Sequence, residues 1–134
     1  MRFMMLMYPG PQAEAGAMPS AAQIQAMMQY NAALVDAGVL LAGDGLQPSA
    51  LGARATFRDG VASITPGPFP GERLLGGYWM IKVASREEAL SWLGKIPASD
   101  ADMVELRQVF EPEDFGAEVA HEERELLERM ARQR

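Results

Sequence analysis

An α+β domain with an antiparallel sheet and two helices on one face is what this 134-residue sequence predicts, and three observations carry the prediction. The chain opens on an unbroken apolar run, Phe3-Met4-Met5-Leu6-Met7-Tyr8, stopped by Pro9-Gly10-Pro11. That is the pattern of a central strand covered on both faces. Two segments begin with a serine followed three residues later by Gln or Glu (Ser20/Gln23 and Ser85/Glu88) and continue with apolar residues at steps of three and four. Both are capping-box starts of amphipathic helices. Between them Asp59-Gly60, flanked by short extended runs, marks a two-residue hairpin turn. The resulting order is strand, helix, strand, hairpin, strand, helix, strand.

Taken in order, residues 9–19 are rich in Pro, Gly and Ala, lack an apolar period, and are expected to form a surface loop. The first helix is expected over residues 21–37. Its stripe would be Ile24, Met27, Met28, Asn31, Leu34 and Val35, with Gly38 supplying the left-handed residue that ends it. Residues 39–42 make a short buried strand. The following Gly43-Asp44-Gly45-Leu46-Gln47-Pro48 is expected to turn tightly and present Asp44 at the strand end. Residues 53–57 and 61–64 form a short, peripheral hairpin, and the three prolines and two glycines of residues 65–71 form a shaped loop. A strand over residues 77–83 precedes the second helix, which carries Ala89, Leu90, Trp92, Leu93 and Ile96 and ends at Pro97. In the last strand, residues 103–109, alternation puts Val104 and Leu106 on one face and Met103, Glu105, Arg107 and Val109 on the other. From Glu111 the chain is strongly charged, with Phe115, Val119, Leu126, Leu127 and Met130 as spaced apolar positions. A C-terminal amphipathic helix, broken or capped near Gly116, is expected there. Residues 1–109 thus read as the domain and residues 110–134 as a charged helical extension.

Composition narrows the possible functions. Hydrophobic residues are 49% and charged residues 22%, ordinary for a globular chain that can bury one core. Twelve Lys and Arg against eighteen Asp and Glu give a net charge of −6, whose field repels nucleic-acid backbones and anionic lipid surfaces. Neither nucleic acid nor membrane is expected as a partner. With no cysteine, thiolate chemistry, disulfides and cysteine-ligated metal centres are excluded by inventory. The six apolar residues after Arg2 are too few for a signal-peptide core or a membrane span, so a cytoplasmic location is expected. Two helices cover only one face of a small sheet. Pairing of the other face with a second copy is therefore expected, giving a homodimer.

Residues 38–48 (Gly-Val-Leu-Leu-Ala-Gly-Asp-Gly-Leu-Gln-Pro), then Thr65-Pro66-Gly67-Pro68-Phe69, then Leu75-Gly76-Gly77-Tyr78, together resemble the YCII-related family, in the branch named for its D-G-P-F sequence. The resemblance spans about residues 1–109. It implies a ferredoxin-like domain that dimerises into an α+β barrel, with a cleft near the strand ends and the proline-rich loop. For function it implies two classes: small enzymes, dehydrochlorinase types among them, and non-catalytic modules found near or fused to alternative sigma factors. The sequence departs from the family pattern where it matters for chemistry. Pro66 stands where D-G-P-F has its aspartate, and the loop after Phe69 is shortened. The His–Asp pair suggested by shorter relatives has no counterpart, since the sole histidine, His121, lies in the C-terminal extension.

Asp44 is the candidate catalytic group, because a carboxylate held between glycines at a strand end can act as a general base. The alternative is a turn aspartate bonding nearby amides. Glu105 and Arg107 share a strand face and would either frame a pocket or form an ion pair at a subunit interface. Tyr8, Phe69 and Tyr78 would supply an aromatic wall for a bound small molecule, or pack in the core. The methionines follow strand and helix periods rather than ligand spacing, Gly43-x-Gly45 and Gly76-Gly77 match no phosphate-binding fingerprint, and a lone histidine cannot share a metal. No cofactor or metal is expected, and the ligand is an unknown small molecule.

Overall fold

The structure, a computed structural model, describes residues 1–71 and 73–133. The opening apolar run forms β1 (Arg2–Tyr8), which leads through a single-turn helix α1 (Pro11–Glu14) to α2 (Ala21–Asp36) and β2 (Leu40–Gly45). The hairpin β3 (Ala53–Arg58) and β4 (Val61–Pro66) follows, then β5 (Gly77–Lys82), α3 (Arg86–Gly94), β6 (Met103–Gln108) and α4 (Ala117–Arg132). β2, β5, β1 and β6 lie in that order in one sheet, every neighbouring pair antiparallel, while β3 and β4 pair only with each other. β1-α2-β2 and β5-α3-β6 are therefore two interleaved units, each returning across a strand of the other. That is the ferredoxin-like arrangement.

Cap chemistry fixes the helix ends. Ser20 accepts the Gln23 amide and Gln23 returns the bond to the Ser20 amide. At the other end Gly38, at φ 73°, lets its own amide reach the Val35 carbonyl and that of Val39 reach Leu34. This is a Schellman closure. At α3 only half the expected box forms. Ser85 accepts from Glu88, but the Glu88 carboxylate takes the Ala84 amide instead.

One face of the sheet is sealed. Phe3 and Met5 from β1 and Trp79 and Ile81 from β5 meet Tyr30 and Leu34 of α2 and Ala89 of α3, with Trp92, Leu93, Val104 and Leu106 packed around them. Tyr30 sits edge-on between the two tryptophans and donates to the Trp92 carbonyl at 2.8 Å, and the Trp79 indole donates to Asn31 at 2.8 Å. Among the described residues every buried polar tip thus has a partner, as burial requires.

Four expectations are corrected. Residues 9–19 are not wholly irregular: Pro11 starts a helical turn, and the preceding Gly10 amide is held by Asp102 at 2.8 Å. The buried stripe of α2 is Met27, Tyr30, Asn31 and Leu34, while Ile24, Met28 and Val35 are exposed. Two stripes of equal spacing overlap in that helix, and the Tyr30 ring, wedged between tryptophans, decides which faces inward. β1 is covered on one face only, since Met4, Leu6 and Tyr8 alternate with the buried residues and are half-exposed. Gly43-Asp44-Gly45 does not turn. It continues β2, with Asp44 opposite Tyr78 and Gly45 opposite Gly77. Gly43 is needed for close approach instead, because a Cβ there would lie 3.2 Å from Trp79 Cδ1 and 3.3 Å from the Tyr78 carbonyl.

The hairpin turns at Asp59-Gly60 with φ of 51° and 78°, the left-handed pair a two-residue turn requires. The C-terminal extension is tied back to β1 by an ion pair from Arg2 to Glu111 at 2.9 Å, then passes a short turn at Pro112–Phe115 and Gly116 (φ 100°) into α4.

Candidate functional site

The sheet face away from the helices carries the candidate chemistry, and strand register brings it together. One row runs across all four strands as Asp44, Tyr78, Leu6 and Glu105, and the next as Ala42, Met80, Met4 and Arg107. Tyr8, opposite Met103, extends the same face. Asp44, Tyr8, Tyr78, Glu105 and Arg107 therefore share one surface with four apolar side chains between them.

Within it, the Tyr78 hydroxyl donates to Asp44 Oδ2 at 2.9 Å. Accepting that hydrogen bond, and its negative charge, make the carboxylate hold the phenol proton more tightly, so the Tyr78 pKa is raised above the usual tyrosine value. The pair joins a carboxylate that can accept a proton to a neutral phenol that can donate one. Arg107 lies 3.3 Å from Glu105 with both side chains open to solvent, so the guanidinium retains donors for an anionic group. In the single chain Asp44 is exposed, while Met4, Leu6, Tyr8, Tyr78 and Met80 of the same face are half-buried.

Phe69 is not brought to this surface. It sits in the loop after β4, its amide donating to Ser49 Oγ at 3.0 Å and its ring lying 3.9 Å from the Arg54 guanidinium. His121 pairs with Glu125 at 3.3 Å on exposed turns of α4. Among the described residues no group of three or more His, Cys, Asp or Glu side chains stands close enough to hold a metal ion, and no helix is long and apolar enough to cross a membrane.

A second feature lies at the strand ends beside the proline-rich loop, where a cleft of about 630 Å³ is lined by Pro9, Glu14, Leu46, Pro48, Arg73 and Leu75 among others. Asp44 does not line it, although Leu46 and Gln47 just beyond β2 do. Its wall is held by Glu14, whose carboxylate accepts the Ser49 amide at 3.1 and 3.2 Å and also the Ser49 hydroxyl. Sequence reasoning missed both residues. Glu14 lies in a stretch without an apolar period that reads as a surface loop, and nothing local links it to a serine 35 positions away.

A family model described as the YCII-related domain matches residues 1–113. No curated protein matches the chain. Among solved structures it is similar to 5-chloro-2-hydroxyhydroquinone dehydrochlorinase from Burkholderia phenoliruptrix AC1100 in complex with 2,5-dihydroxybenzoquinone, at 14% identity and a TM-score of 0.46, over 83% of this chain and 95% of that one.

Proposed function

Because this chain belongs to the YCII-related family, we propose that it works as a homodimer that binds a small molecule and carries out cofactor-independent acid–base or lyase-type chemistry at Asp44. The hydrogen bond from Tyr78 to Asp44 carries this reading, since it sets a base and an acid 2.9 Å apart on a face lined by Met4, Leu6 and Met80. A second copy laid over that face would bury the apolar row and close the pair off from bulk water. Exclusion of water strengthens every charge interaction at the pair. Asp44 takes the proton, Tyr78 supplies one to the leaving or developing oxygen, Arg107 holds an anionic substituent, and Tyr8 gives an aromatic wall.

Asp44→Asn tests this while nearly preserving shape. Fold and dimer should survive, and turnover of a substrate found by thermal-shift screening of small phenols and aromatic acids should fall ~10²–10⁴-fold. Ring-carbon NMR of Tyr78 should show its titration moving to lower pH in the variant, because the carboxylate charge that held its proton is gone. Equal turnover in both proteins would refute Asp44 as the base, and a ligand that both bind equally and neither turns over would leave a non-catalytic regulatory module as the better account. A stable monomer at micromolar concentration would refute the dimer.

A further inference from the structure

α4 leaves most of an apolar stripe uncovered. The helix is fixed at its start, where Ala120 is buried, Arg124 pairs with Glu113 at 3.1 Å, and the turn at Pro112–Phe115 packs against it. At about 3.6 residues per turn, Val119, Leu126 and Met130 line one side of the helix with Leu127 beside them, and they stay 43%, 54%, 54% and 48% exposed. Charge along the helix is sorted. On the flank beside the stripe Glu118 and Glu122 stand in the first half, and Arg129 and Arg132 in the second. Among the described residues none of these four makes an ion pair on its own chain.

We propose that α4 docks on itself, laying its stripe antiparallel on α4 of a second copy. The inference goes beyond the sheet-face pairing above and does not depend on it. A two-fold axis crossing the helix runs the two copies in opposite directions. One register brings all four seam positions into contact, with Val119 facing Met130 and Glu123 facing Leu126. That same register sets Glu122 of each copy against Arg129 of the other and brings Glu118 towards Arg132. Acidic halves thus meet basic halves and the helix macrodipoles run antiparallel, whereas a parallel pair would set like halves together. Glu123 is the one charged residue within the stripe, and a single polar seam position sets register at some cost in stability. Two copies of net charge −6 repel at a distance, but salt screens that field over about 10 Å, so at contact the flank pairs decide. The exposed outer face of α2 is a poorer occupant: no residue from Ala21 to Val35 is charged, so it offers Glu122 and Arg129 no partners.

The lack of cysteine in the sequence makes this register readable by disulfide trapping on the full chain. Glu122→Cys protein and Arg129→Cys protein are mixed at micromolar concentration under oxidised glutathione. The mixture should form a disulfide-linked heterodimer at least ~10-fold faster than either variant links to itself. Like positions lie seven residues, about 10 Å, apart along an antiparallel pair, and a disulfide needs Cα atoms within about 7 Å. Adding Leu126→Lys to both variants should abolish the advantage of the mixture, and adding Leu6→Lys, which disturbs the sheet face alone, should leave it intact. Equal rates for the mixture and for each variant alone would overturn the antiparallel pair. So would a mixture no faster than Arg129→Cys with Glu128→Cys, which lies on the far side of the helix. Trapping that survives Leu126→Lys would overturn the stripe as the contact, and trapping lost with Leu6→Lys would overturn α4 as an interface of its own.

Discussion

Raising the pH should invert the stability order of the wild type and Tyr30→Phe. Tyr30 is buried beneath the sheet between Trp79 and Trp92, and burial pushes its phenol up to about 12 from an ordinary value of 10.0. The folded state therefore holds the phenol proton more tightly than the unfolded chain does. A raised folded pKa contributes stability that is complete below pH 10 and is lost as pH climbs through 12. With those two values the loss is ~1 kcal/mol by pH 11 and ~2 kcal/mol by pH 12. Tyr30→Phe cannot lose it, because nothing at that position ionises. Below pH 10 the variant is the weaker protein, since it lacks the hydrogen bond to the Trp92 carbonyl and leaves that oxygen only the Lys95 amide at 3.2 Å, at a cost of ~1 kcal/mol. Other groups titrate in the same range, but they titrate in both proteins and cancel in the difference. Urea unfolding followed by tryptophan fluorescence at pH 8 and pH 11 should show wild type ahead by ~1 kcal/mol at the lower pH and level or behind at the higher. A stability difference that is the same at both pH values would refute the reasoning.

Two further substitutions test the packing that positions the site. Asn31→Ala should destabilise by ~1–3 kcal/mol, because the buried Trp79 indole N–H loses its acceptor at 2.8 Å, whereas Asn31→Asp should recover part of the loss; equal denaturation midpoints for Ala and wild type would contradict this. Gly76→Ala should cost ~1–3 kcal/mol and reshape the cleft, because a Cβ there would lie 2.6 Å from two ring carbons of Pro9 in a strand connection anchored by the Gly76 amide on Met7; a change under ~0.5 kcal/mol in urea unfolding would show that Pro9 yields freely.

The features legible in the sequence were those set by neighbours along the chain. The caps at Ser20 and Ser85, the terminator at Gly38 and the turn at Asp59-Gly60 each depend on a few adjacent residues, and each stands where the sequence puts it. Strand alternation likewise placed Glu105 and Arg107 on one face. What local reasoning could not resolve was the cause behind an ambiguous pattern. Gly43 is compatible with a tight turn or with a side chain pressing on the backbone, and only the distant Trp79 settles which. The same ambiguity hid the Asp44–Tyr78 contact, since it follows from the register of β2 on β5, 34 residues apart. Apolar period carries a related ambiguity, because it marks positions suited to burial without saying against what. Ile24, Met28 and Val35 on α2 read as part of a buried stripe, yet all three are exposed in the single chain, whereas the hairpin read as peripheral is indeed exposed along both strands. For the α2 trio a competing stripe was available and tertiary packing chose it.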